Sequence, residues 1–129
     1  MARKNVTYNQ PLEKQIGFSR AVRVGDMIAV SGTAPIAKDG SVHAPGDAYK
    51  QAKRCLEIIE DVLGRAGAGL KDVVRTRIYL KNISDWEAVA KAHGEFFSNI
   101  QPACTFVEVS GFINPEWLVE IEADAEAGN

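Results

Sequence analysis

Two side chains carry most of the chemical potential of this chain, Cys104 and Glu120. Cys104 lies in "NIQPACTFVEVSGF", residues 99–112, just beyond Pro102 at the start of a β-type run. A thiol there can serve as a nucleophile, a metal ligand or a small apolar filler. A nucleophilic cysteine needs a base or a cation beside it to lower its pKa. Arg75 or Arg77 can supply that charge if their strand adjoins, whereas acids on the same face work against a thiolate. Glu120 lies in "LVEIEADA", residues 118–125. A carboxylate on a strand face, away from bulk water, has a raised pKa and can hold or activate a water molecule. The competing role is an ion pair with an arginine of that face, and it weighs more for Glu108 and Glu122.

Other candidates carry less. Cys55 falls on a helical apolar stripe and reads as core. His43 sits in a loop and His93 on a helix stripe, and the two cysteines lie on different elements. No spacing of metal ligands is visible, so no metal is expected. Gly64, Gly67 and Gly69 follow a helix instead of opening one, which removes the phosphate-loop reading.

The elements that must position these residues read as one α+β unit. "GFSRAVRVGDMIAVSG" forms two strands around a Gly25-Asp26 turn, with Ile28 and Val30 on one face. Residues 47–66 are the clearest helix. Its stripe is Ala48, Ala52, Cys55, Leu56, Ile59, Val62, Leu63 and Ala66, and Asp47 is its N-cap or a first-turn acid. "DVVRTRIYL" is a strand with Val74, Thr76, Ile78 and Leu80 opposite Val73, Arg75, Arg77 and Tyr79. "SDWEAVAKAHGEFF" is a second helix, with a Ser84–Glu87 capping box and a stripe of Trp86, Val89, Ala90, His93, Phe96 and Phe97. Residues 103–110 and 117–125 are the last strands. Two one-stripe helices must cover one face of one sheet. The other face is expected to hold Arg75, Arg77, Tyr79, Cys104, Phe106, Glu108, Glu120 and Glu122. That mixture of charge and apolar bulk suits an oligomer interface lining a pocket. Residues 1–15 are polar, a partly flexible N-terminus to a single domain spanning 1–129.

Bulk properties exclude several classes. The chain has 129 residues, a formal net charge of -2 and 46% hydrophobic residues. An ordinary globule of this size needs neither disulfides nor metal to fold. No basic face offers itself to nucleic acid. Two cysteines make no disulfide framework, and the N-terminus has no apolar run of a signal peptide, so a reduced cytoplasmic protein is expected. No apolar stretch approaches the ~20 residues of a membrane span.

Four segments together resemble the RidA/YjgF family, also labelled endoribonuclease L-PSP. They are "VSG" at 30–32, "VVRTRIYLKNISDWEAVAKAHGEFF" at 73–97, "QPACTFVEV" at 101–109 and "LVEIEADA" at 118–125. The resemblance implies a chorismate-mutase-like α+β fold: a mixed β-sheet covered on one face by two helices. It also implies a homotrimer with clefts between subunits, and hydrolysis of reactive enamines and imines to keto acids and ammonia without a cofactor. An arginine of the family holds the substrate carboxylate, and a glutamate-bound water attacks the imine carbon. Carried over by position, that glutamate is Glu120 and the Ser31-Gly32 backbone contacts the ligand. The arginine position holds Cys104. The tyrosine position holds Phe18, the asparagine position Ala90, and the cysteine position two residues beyond the arginine holds Phe106. The expected site is therefore Glu120 and Cys104 as catalytic candidates, with Phe18, Ser31, Gly32, Ala90 and Phe106 around a small-molecule ligand. With Cys104 in place of the arginine, the standard reaction on 2-imino acids lacks its carboxylate anchor unless an arginine from another strand, for example Arg20 or Arg77, takes that place. The alternatives are a trimeric small-molecule-binding or regulatory module without chemistry, and an endoribonuclease, which the acidic charge disfavours.

Overall fold

The computed structural model describes residues 2–128. Six strands form one mixed sheet in the order β1-β2-β3-β6-β4-β5. They are β1 (Arg3–Val6), β2 (Ala21–Val24), β3 (Met27–Thr33), β4 (Val73–Leu80), β5 (Ala103–Glu108) and β6 (Val119–Glu126). All neighbours run antiparallel except β4 and β5, which α3 (Trp86–Phe97) joins as a parallel crossover. The long helix α2 (Ala48–Arg65) packs beside α3 and against β3 and β6. Ile28, Val30, Ile78, Leu80, Ile121 and Ala123 face these helices in one core with Leu56, Ile59, Leu63, Val89 and Phe97. An α+β sheet covered on one face by two helices is thus the observed architecture.

The helix over residues 47–66 is found where its stripe places it. Asp47 caps it, its carboxylate accepting from Lys50 N at 2.9 Å. Asp47→Ala is expected to cost about 0.5–2 kcal/mol, read as a lower urea midpoint at unchanged slope. The Gly25-Asp26 turn joins β2 and β3, with Val24 opposite Met27.

Four features differ from the sequence reading. The polar N-terminal stretch contains β1, which pairs with β2, and a short helix α1 (Pro11–Ile16). A single four-residue edge strand and a six-residue helix leave too little periodicity to read. The Ser84–Glu87 capping box is absent. A 3-10 turn at Ile83–Asp85 runs into α3, and Trp86 N–H donates to Ile83 O instead. In β4 a bulge between Val73 and Arg75 breaks the alternation, so Val73 is buried and Val74 is exposed. Two residues of β4 then oppose one step of β6.

The fourth concerns the faces of the sheet. The parallel register pairs Thr76 with Cys104, Ile78 with Phe106 and Leu80 with Glu108. Those β4 residues are buried under the helices, so Cys104, Phe106 and Glu108 lie on the helix side of the sheet and not with Arg75, Arg77 and Tyr79. Alternation within a strand separates two sets; only its partner decides which set points inward. β5 is the sheet's edge, so Cys104 stays exposed while Phe106 packs against the core margin. The open face carries Arg77, Tyr79, Glu120, Glu122 and Asp124. There Arg77 Nη1 lies 3.3 Å from Glu122 and 3.2 Å from Asp124, and Tyr79 donates to Glu122 at 2.7 Å.

Candidate functional site

A cavity of about 510 Å³ opens between α1, the middle and C-terminal half of α2 and the β3–β6 part of the sheet. Glu120, Gly32, Phe18, Arg20, Thr33 and Trp117 contribute to its wall. Its position follows from a second bulge. Between Val30 and Thr33, β3 uses three residues where β6 uses two. The bulge turns Thr33 into the core and presents the Gly32 backbone beside Glu120. A Cβ on Gly32 would meet Glu120 Oε2 at 3.0 Å. Only glycine leaves that carboxylate undisturbed in its present place.

Glu120 is half-buried, between the fully buried Val119 and Ile121. Burial raises its pKa above the ordinary carboxylate value. Arg20 opposes that rise and Glu122 adds to it. A carboxylate so placed holds a proton more readily than one in water and is a better proton acceptor when ionised. The approach to β6 is fixed by Gln51, a wholly buried amide on α2. Its Nε2 donates to Glu116 O at 3.1 Å, and its Oε1 accepts from Leu118 N at 2.8 Å.

Arg20 is the cation of the site. Its Nη2 donates to Gly32 O at 3.1 Å and to Thr33 Oγ1 at 2.9 Å, and its guanidinium lies 5.5 Å from the Phe18 ring centre. Burial lowers its pKa, while Glu13, Tyr8 and Glu120 push it back up. A guanidinium stays protonated under such opposition. Gly17, at φ +88, ends α1 and directs the chain into Phe18; that left-handed turn suits glycine. At the far wall Tyr8 donates to Asp61 of α2, and burial together with that bond pushes its pKa up to about 12. Arg65 lies 3.0 Å from Asp61 and stacks 4.7 Å from the Tyr8 ring centre. This cluster ties the N-terminal segment to α2 and closes one side of the cavity.

The site residues named from the sequence separate into two places. Phe18, Gly32 and Glu120 line the cavity. Ser31 is its neighbour, but its hydroxyl is engaged by Ser19 O at 2.6 Å. Cys104, Phe106 and Ala90 lie on β5 and α3, outside this cavity. Near them His93 Nε2 is 2.9 Å from Thr76 Oγ1 and its ring is 4.7 Å from that of Phe97; burial lowers its pKa. Cys55 is fully buried, and burial pushes its thiol up and out of reactive range. Gln51 and Tyr8 were not singled out as site residues, and Arg20 only as one of two arginines that could take the anchor's place. Gln51 leaves a signal, a lone amide within the α2 stripe; Tyr8 leaves none. Among the described residues no cluster of three or more His, Cys, Asp and Glu could hold a metal, and no helix is long and apolar enough to cross a membrane.

A helix-covered mixed sheet with a glutamate against a glycine bulge is the architecture set against known proteins. Residues 9–127 match the family model described as Endoribonuclease L-PSP. A RutC family protein of Pyrococcus abyssi is 37% identical over 123 residues, covering 95% of this chain and 96% of the relative. The 3-aminoacrylate deaminase RutC of Acinetobacter baylyi is 34% identical over 105 residues, covering 81% and 82%. The crystal structure of a YjgF/YER057c/UK114 family member from Mycobacterium tuberculosis superposes with a TM-score of 0.88 at 42% identity, covering 97% of this chain and 99% of that one. The chain belongs to the RidA/YjgF family, the family of Endoribonuclease L-PSP.

Proposed function

We propose that the protein hydrolyses a small enamine or imine, releasing ammonia and a carbonyl product, with Glu120 handling the protons. The observation that carries this reading is the Glu120 carboxylate, half-buried in a cavity and set against Gly32 with a pKa raised by burial. In the reaction, ionised Glu120 takes a proton from water as the water oxygen bonds the C=N carbon. Glu120 then returns that proton to nitrogen. That gives a carbinolamine, and an enamine enters by the same route as its imine tautomer. The hydroxyl proton then passes through the Glu120 carboxylate to nitrogen as the C–N bond breaks, the carbonyl forms and ammonia leaves. No cofactor enters this balance. The deaminase name of the Acinetobacter relative supports the same reaction class.

The test is ammonia release by the purified protein from 3-aminoacrylate and from 2-iminopropionate, each generated in place by a coupled enzyme. Turnover above the spontaneous rate is expected on at least one. A saturating ligand recovered unaltered, with no turnover, would instead favour the binding-module reading. Gly32→Ala provides a finer check. Its methyl group displaces the Glu120 carboxylate by a few tenths of an ångström, which a flexible side chain absorbs. Activity is expected to fall about tenfold or more while the melting temperature shifts little, because misplacement of this size harms catalysis more than packing.

We further infer a homotrimer that uses the open sheet face. That face joins the Arg77–Glu122–Asp124 ion pairs to Tyr79 and to Val107, which is 40% exposed. Light scattering coupled to size exclusion is expected to give three times the chain mass.

A further inference from the structure

Four basic side chains border the cavity: Arg20, Lys38, Arg54 and Arg65. Arg54 lies 3.6 Å from Glu57, and Arg65 lies 3.0 Å from Asp61. Lys38 is exposed. Arg20 is half-buried, and among the described residues no carboxylate oxygen comes within 4.0 Å of it. Its Nη2 is fully used by Gly32 O and Thr33 Oγ1. Its Nε and Nη1 donate to no protein acceptor among the described residues. No buried side-chain nitrogen there lacks a partner, so these N–H groups must be open to solvent in the cavity. The guanidinium is thus fixed by two bonds and one aromatic ring, with donors to spare.

Gly32 links this cation to Glu120. Its carbonyl accepts from Arg20, and its Cα carries the open space that Glu120 Oε2 fills. We propose that Arg20 anchors the anionic end of the ligand, seating the carboxylate of a short-chain acid on its free Nη1–H groups with the reacting carbon toward Glu120. Charged hydrogen bonds to a pre-oriented guanidinium suit a carboxylate. The two groups flank a single residue, so the ligand's carboxylate and its reacting carbon must be close neighbours. This assigns to β2's threshold the task that the family resemblance gives to the position of Cys104, which lies outside this cavity.

The proposal rests on the reading of Glu120 above for its reacting carbon, but its test needs no turnover. Pyruvate and its neutral isostere pyruvamide serve as probes, with binding followed by thermal shift and calorimetry. Pyruvate is expected to stabilise the wild-type protein saturably, and pyruvamide to bind at least about tenfold more weakly. Arg20→Gln is expected to weaken pyruvate about tenfold or more and to abolish the preference, while Arg20→Lys retains part of it. If Arg20→Gln fails to fold, the wild-type preference alone decides. Equal binding of the two probes, no binding of pyruvate, or wild-type affinity in a folded Arg20→Gln each overturns the proposal. Turnover without any preference for pyruvate would leave the Glu120 reading standing and remove Arg20 from it. A preference without turnover would do the reverse.

Discussion

Glu120→Gln is expected to lower kcat/KM for an enamine or imine substrate by about 100- to 10,000-fold, the span of a lost general acid–base group. The substitution keeps the side chain's size and its contact with Gly32 while removing the exchangeable proton. The pH profile supplies an independent sign. Burial raises the pKa of Glu120 above that of a carboxylate in water, and the base must be ionised to act. Activity should therefore fall on acidification through a pKa above the ordinary value of 4.5, and that limb should vanish in any residual activity of Glu120→Gln. Stability runs the other way. A carboxyl whose folded pKa is raised stabilises the fold below its unfolded pKa, and that contribution is lost as pH rises through the folded pKa. At neutral pH the glutamine carries no charge for burial to disfavour. An activity loss with a preserved urea midpoint thus identifies chemistry, and an equal loss of both would sink the assignment.

The sequence carried the layers of this fold because period and caps declare them locally. The α2 stripe, the Asp47 cap, the Gly25-Asp26 turn and the alternation of β6 each need only a few neighbouring residues. Facing was harder. Cys104 and Phe106 alternate with Ala103, Thr105 and Val107, but their side of the sheet is set by the parallel register with β4, and nothing in β5 encodes that register. The two bulges were invisible for the same reason: each is a mismatch between paired strands, at Val73–Arg75 and at Val30–Thr33. The second bulge creates the Gly32–Glu120 contact, so part of the site could not be read from spacing. The family resemblance supplied Glu120, Gly32 and Phe18, which the cavity unites. It left Arg20 only as one of two arginines that could take the anchor's place, because the importance of Arg20 arises from three partners brought together only by folding: Phe18, Gly32 and Thr33.

Phe97→Ala is expected to destabilise the protein by about 3–5 kcal/mol, against about 1 kcal/mol or less for Trp86→Ala. Hydrophobicity alone ranks these two the other way, since both belong to the apolar stripe of α3 and tryptophan is the larger. The packing reverses the order. Phe97 is 2% exposed, lies in the core with Val89 and Ala92, and meets the His93 ring at 4.7 Å. Trp86 begins the helix directly after the 3-10 turn and is 50% exposed. Deleting the Phe97 ring leaves a cavity beneath α3 that the sheet, held by β4, β5 and β6, closes only in part. It also unseats His93, whose Nε2 is 2.9 Å from the buried Thr76 hydroxyl. A loss of 3–5 kcal/mol is a large part of the 5–15 kcal/mol that typically holds a domain together. Urea unfolding should show a much lower midpoint for Phe97→Ala and a nearly unchanged one for Trp86→Ala. Neither residue borders the Glu120 cavity, so molecules of Phe97→Ala that remain folded should keep the wild-type KM. Similar midpoints for the two variants would mean that α3 does not carry the packing assigned to it.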